Sequence, residues 1–198
     1  MAKVGTKHSG WVGRAALFVL AAPRVGPRVR VVAVEGRSGS GKSTVAERLR
    51  RELAERGEPV AVLSMDDLYP GWEGLARAPE LLRAWVLSPL SEGRPVAWRR
   101  YDWERNRFEE RWRGLPAALS TGGTLVVEGC GSGAEAVRDL LDVLLWVEAP
   151  TSVRSARLDR REDHDAYAPF RRVWAHQEEE LYAGDRTRDR ADLVIDNP

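Results

Sequence analysis

The chain has 198 residues, a formal net charge of +1, 43% hydrophobic and 31% charged residues, which suits one domain that buries roughly 70% of the surface its unfolded form exposes. The balanced charge gives no electrostatic basis for a nucleic-acid partner, and no stretch reaches the roughly 18 continuous apolar residues of a membrane helix. A single cysteine, Cys130, excludes an internal disulfide and suits a cytoplasmic setting.

Residues 1–28 read as an N-terminal tail and helix. Scattered positive charge followed by the apolar run Ala15 to Ala22 superficially resembles a secretion signal, but the run is short and a nucleotide motif follows at once. From Val29 onward, short apolar runs alternate with helical patterns, the signature of βαβ units and a parallel sheet covered on both faces. The predicted strands are Val29 to Glu35, Pro59 to Ser64, Thr124 to Glu128, Val143 to Glu148 and Ala191 to Asp196. The predicted helices are Lys42 to Arg56, stopped by Gly57, then Pro79 to Leu87, Ser132 to Leu141, Pro150 to Arg161 and Pro169 to Ala183. The polar stretch from about 70 to 115, rich in Trp and Arg, is too irregular for sheet core and is expected to cover an active face. Residues 29–198 thus form one domain, with a lid expected at about 154–170.

Gly36-Arg37-Ser38-Gly39-Ser40-Gly41-Lys42-Ser43 fits the P-loop pattern G-x-x-x-x-G-K-[ST] between a buried strand and a helix. Glycines let successive N–H groups turn inward around phosphate oxygens, and the helix N-terminus adds its partial positive charge. The expected nucleotide contacts are Gly36, Ser38, Gly39, Ser40, Gly41, Lys42, Ser43 and Thr44, with Lys42 on the β- and γ-phosphates and Ser43 on Mg²⁺. Only three of the 31 basic residues are lysines, and Lys42 is the only one after residue 7. A compact ammonium therefore stands where phosphate is to be gripped, in a chain that otherwise uses arginine.

Two acidic sites fall beyond strand carboxyl ends, where open α/β sheets bind ligands. Asp66, in Met65-Asp66-Asp67-Leu68-Tyr69, fits the carboxylate that orients an acceptor hydroxyl and takes its proton; Glu128 fits the acid beside the metal. A capping or turn pair is the plainer reading of Asp66 and Asp67, and a satisfied strand-end residue that of Glu128. Arg154, Arg157 and Arg161 share one helical face and could grip phosphates from a lid, or form an ion-paired solvated face with Asp159, Glu162 and Asp163. Tyr69, Trp72, Trp98, Tyr101, Trp103 and Trp112 either stack a planar acceptor or anchor a loop-rich cover.

These motifs taken in order, with Tyr101-Asp102-Trp103, Val126-Val127-Glu128-Gly129, Arg157-Leu158-Asp159-Arg160-Arg161 and Ala191-Asp192-Leu193-Val194-Ile195, make the chain resemble the uridine kinase and nucleoside kinase-like P-loop kinases from about Val29 to the C-terminus. The resemblance implies a three-layer αβα sandwich with a five-stranded parallel sheet and a helical lid, ATP and Mg²⁺ as cofactors, and Asp66 as the base. It also implies Tyr69, Tyr101, Asp102 and Arg107 on the nucleoside side, and Arg157, Arg160 and Arg161 in the lid. The chain departs from the family in a shortened stretch between Tyr69 and Tyr101, in lacking an Asp-His-Pro-type acidic segment, and in having Asn106 where a histidine is usual. The expected activity is phosphoryl transfer to a small-molecule hydroxyl, of a nucleoside or nucleoside-like compound. A non-nucleoside metabolite or antibiotic as acceptor, an ATP-dependent binding module without kinase activity, and a homo-oligomer all stay open.

Overall fold

Runs of β-branched and apolar residues lie at the centre of the molecule, paired in parallel. The structure is a computed structural model that describes residues 2–23, 29–161 and 164–198; residues 24–28 of the expected N-terminal segment and residues 162 and 163 of the expected lid lie outside the described residues. In chain order the strands are β1 (Ala2–Gly5), β2 (Val29–Glu35), β3 (Val60–Ser64), β4 (Trp98–Asp102), β5 (Arg107–Arg113), β6 (Gly123–Glu128), β7 (Val143–Glu148) and β8 (Leu193–Asp196). The helices are α1 (Trp11–Ala21), α2 (Lys42–Glu55), α3 (Ala78–Leu82), α4 (Ser88–Ser91), α5 (Thr151–Leu158), α6 (His164–Tyr167) and α7 (Arg171–Asp185).

The parallel sheet has six strands in the order β1-β8-β7-β2-β6-β3. That corrects the expected five: residues 2–5, read as tail, pair in register with β8 and extend its edge. Alternation along β2 divides the core, because successive side chains point to opposite faces. Val32 and Val34 pack with α1 and α2 against Val45, Leu49 and Leu53. Val31 points the other way, toward Leu68, Leu82 and Trp174, and Ala33 meets Leu144, Trp146 and Tyr182. The result is the αβα sandwich that the alternating pattern predicts.

Two elements differ from expectation. Residues 135–140, expected as part of an α-helix, form a 3₁₀ helix instead. The backbone before it is held elsewhere, since Gly131 and Gly133 donate their N–H groups to the buried Glu35 carboxylate. The helix over 78–91 is continuous, but its middle, Arg83–Leu87, adopts π geometry. Pro89 supplies no N–H to the carbonyl four residues back; that carbonyl, on Trp85, accepts instead from Ala97 at 3.4 Å. The segment expected to be irregular also contains the antiparallel hairpin β4-β5, separate from the main sheet.

Candidate active site

The P-loop is shaped from outside. Its carbonyls are taken in turn by Tyr182 Oη on Gly36 (3.1 Å), Lys42 Nζ on Arg37 (3.3 Å), Arg154 on Ser38 (3.2 Å), Arg157 on Gly39 and Ser40 (3.3 and 3.2 Å), and Asn197 on Ser40 (2.8 Å). Carbonyls held outward favour inward N–H groups, which is the requirement of an anion nest, whereas the Gly36, Ser38 and Ser40 N–H groups are taken by Glu35, Glu178 and the Arg37 carbonyl. Glycine is needed where the braces come closest: at Gly39 a Cβ would meet the Arg154 carbonyl oxygen at 2.5 Å, and at Gly41 the Asn197 amide at 2.4 Å, both with positive φ. Gly41 then opens α2 at Lys42, whose first-turn N–H groups have no intrahelical carbonyl.

A cavity of about 780 Å³ opens over this loop. Ser38, Gly39, Gly41, Lys42, Ser43 and Thr44 line it, whereas Gly36 and Ser40 shape the loop from beneath. Ser43 Oγ donates to Glu128 Oε2 at 3.1 Å, and Ser64 Oγ to Glu128 Oε1 at 2.8 Å. An all-oxygen pair of one hydroxyl and one carboxylate suits Mg²⁺, which keeps most of its waters and takes few protein ligands. Burial works to lower the Lys42 pKa, but Cys130 first and then Glu178, Glu128 and Glu35 outweigh burial and hold it above its ordinary value. The thiol of Cys130 lies 3.5 Å from Lys42 Nζ, and burial pushes its own pKa far up.

Asp66 lines the cavity just beyond β3, in the turn that Ser64 caps by accepting the Asp66 N–H. Its neighbour Asp67 is structural, accepting from Trp98 Nε1 at 3.1 Å and pairing with Arg100 at 3.3 Å. The ring of Tyr69 reaches the cavity, but its hydroxyl donates to the Cys130 carbonyl at 2.8 Å, and burial raises its pKa well above the ordinary value. The structure does not bring Tyr101, Asp102 or Arg107 to the cavity. Tyr101 is buried under the hairpin with its hydroxyl on Asn106, Asp102 caps the turn by accepting from Glu104 and Arg105, and Arg107 is exposed. Arg100 and Trp103 line the cavity in their place. On the lid side, Arg161 lies over the Tyr167 ring at 5.4 Å and both face the cavity, Arg157 braces the P-loop, and Arg160 is exposed.

Sequence reasoning missed Glu178. From α7 its carboxylate accepts the Ser38 N–H at 2.9 Å, the Ser38 hydroxyl at 2.5 Å and Trp174 Nε1 at 3.1 Å. The signal was present: Trp174, Glu178 and Tyr182 recur at four-residue spacing on the buried face of α7, and an acid in that stripe needs donors.

The family model of an AAA domain matches residues 32–181. The chain belongs to that family. Among solved structures, this AAA-domain chain is similar to a possible uridine kinase from Bacillus stearothermophilus, at 22% identity and a TM-score of 0.69 over 93% of this chain and 97% of that one. It is also similar to a candidate fructose transport system kinase from Silicibacter sp. TM1040, at 22% identity and a TM-score of 0.57 over 92% and 98% of the two chains. D-glycerate 3-kinase from Cryptococcus neoformans var. grubii serotype A matches at 14% identity and a TM-score of 0.59 over 96% of each. At these identities the likeness is one of fold, the α/β fold of the P-loop NTPases. No curated protein matches the sequence. Among the described residues, no helix is long and apolar enough to cross a membrane.

Proposed function

We propose that the chain is a phosphotransferase that moves the γ-phosphoryl group of Mg·ATP to a hydroxyl of a small molecule, a nucleoside or nucleoside-like compound in the manner the uridine kinase resemblance suggests. The observation that carries this reading is the convergence on one cavity of the braced P-loop, the Ser43–Glu128 pair and Asp66. Gly39, Gly41, Lys42, Ser43 and Thr44 present N–H groups to phosphate oxygens, and the Lys42 ammonium neutralises charge on the transferring group. Ser43 and Glu128 would hold Mg²⁺, which would supply further neutralisation of that charge. Asp66 orients the acceptor hydroxyl and takes its proton as the new P–O bond forms and the bond to the leaving ADP breaks. Arg161 adds positive charge from the lid side, and Arg157 acts through the loop carbonyls it holds. Trp72, Trp103 and Tyr167 exclude water from the transfer.

Lys42→Ala should abolish ATP turnover, and wild-type turnover in that variant would refute the assignment. Asp66→Asn should retain Mg·ATP affinity in calorimetry while transfer falls about 10²–10⁴-fold; undiminished transfer would remove Asp66 as the base. A second reading, an ATP-dependent binding module, is favoured by α7, where Gln177 holds the Trp72 carbonyl while the adjacent Glu178 holds the P-loop. Acceptor-stimulated ADP release separates the two, since only the kinase produces it.

A further inference from the structure

Arg100 stands out in the acceptor half of the cavity. It lies on β4 where the hairpin register breaks: Arg99 pairs with Trp112 and Tyr101 with Phe108, so three residues, 109–111, face Arg100 alone. The extra residues are on β5, so Arg100 has no one-to-one cross-strand partner, and such irregularities recur beside active sites. Arg99 holds the irregular stretch in place, donating Nε and Nη2 to the carbonyls of Glu109 and Phe108. Arg100 lines the same cavity as Asp66. Its Nε faces Asp67 at 3.3 Å, and Asp67 is in turn fixed by Trp98. Among the described residues the ion pair with Asp67 is the one polar pairing of this half-exposed guanidinium, which leaves its planar fork open to the cavity. That fork matches a carboxylate or a phosphate in bidentate geometry.

The aromatic residues beside it pack against one another. Trp72 lies against Phe170 at 5.1 Å and 9° on one side and meets Trp103 at 4.5 Å and 49°, with Tyr167 and Trp174 at its margins. The rings face each other and form a wall. Asp66, Asp67 and Glu128 line the same cavity and repel an anion, Lys42, Arg157 and Arg161 attract one, and Arg100 is the cation paired beside the Asp66 turn.

Resting on the kinase reading above, we propose that Arg100 determines acceptor specificity, and that the acceptor bears an oxyanion, a carboxylate or a phosphate, in addition to the hydroxyl that is phosphorylated. The test uses the full chain and its Arg100→Leu and Arg100→Lys variants, with thermal unfolding to establish that each is folded. Calorimetry with Mg·AMPPNP reads the nucleotide half alone. ADP release with glycerol, glycerate and glycerol 3-phosphate, with ribose and ribose 5-phosphate, and with nucleosides reads the acceptor half, and the carboxylate and phosphate members separate the two oxyanion sources. The expected result is that at least one oxyanion member stimulates release about tenfold or more over its neutral partner. Arg100→Leu should raise its KM about 10–100-fold, the range for a lost charge-assisted pair, and Arg100→Lys should fall between. Mg·AMPPNP affinity should stay within about twofold, since the fork serves the acceptor and not the nucleotide. The inference is overturned if neutral members do as well as anionic ones, if the preference survives Arg100→Leu, if the variant weakens Mg·AMPPNP instead, or if nucleosides stimulate release while no oxyanion member does. Failure of the kinase reading looks different: no acceptor, nucleosides included, would stimulate release, wild-type turnover would survive Lys42→Ala, or Mg·ATP would not bind at all.

Discussion

Glu35, Glu128 and Glu178 crowd one ammonium, yet each has a different duty set by its donors. Glu35 is wholly buried, and burial pushes its pKa up against the pull of the Gly133 N–H, the Tyr182 hydroxyl and Lys42. It holds the loop after β6 in place. Glu178 holds Ser38. Glu128 alone pairs with Ser43 at the cavity, with donors that are hydroxyls, and a hydroxyl yields readily to a cation. Glu128→Gln should therefore raise the Mg²⁺ concentration needed for nucleotide binding by about tenfold or more, the cost of one carboxylate ligand, and leave Mg²⁺-free binding little changed. A magnesium titration by calorimetry checks this, and an unmoved midpoint would remove Glu128 from the metal. Ser43 and Glu128 were legible because a motif and a strand end mark their places. Glu178 and Arg100 were not, because their partners lie far away in sequence on other elements.

At the level of elements, β1 shows how an edge strand is secured. Thr6 donates its N–H to the Asp196 carbonyl at 2.8 Å, and Lys3 pairs with Glu148 at 2.9 Å, while Arg188 reaches the other oxygen of Glu148 at 2.8 Å. Burial alone would raise the Glu148 pKa, but these two cations outweigh it and hold it below the ordinary carboxylate value. A carboxyl depressed in the folded state contributes stability above its unfolded pKa of about 4.3, and loses it as pH falls through the lower folded value. Amide exchange at Thr6 should thus quicken as pH drops from about 5 to about 3, while β2 keeps its protection, once the intrinsic pH dependence of exchange is removed. Glu148→Gln should abolish that acid dependence at a cost below about 1 kcal/mol, since the pairs are partly solvated. Equal loss at β1 and β2 would show instead that the sheet opens as one unit. Residues 2–5 went unread as a strand because four residues with two small ones carry little pattern; their pairing depends on the neighbouring strand β8.

Across the whole molecule, β2 sits between β6 and β7, so the chain crosses β2 after β6 and the carboxyl ends of β2, β3 and β6 converge on one cleft. The sheet is the rigid part of the site. Leu125, fully buried on β6, packs in the core that also contains Leu68, Tyr69 and Trp174. Leu125→Ala should cost about 2–5 kcal/mol by lost transfer energy and residual cavity, seen as a lower denaturant midpoint with an unchanged slope. A loss below about 1 kcal/mol would mean that the core closes over the gap. Saturating Mg·ATP should offset part of that loss, because binding favours the folded state.

Local pattern carried the sandwich, the P-loop and the parallel core strands, because each rests on contacts close in sequence: short apolar runs, a glycine-lysine turn, a helix start. Distant contacts assigned the rest. Arg157, read as a lid arginine, lines the cavity and is bonded to the P-loop carbonyls; Tyr101, read as facing the acceptor, is buried under its own hairpin; and Arg100, opposite the irregular stretch of β5, lines the cavity. A long polar side chain can reach many partners, and which one it meets depends on elements that come together only when the sheet has formed.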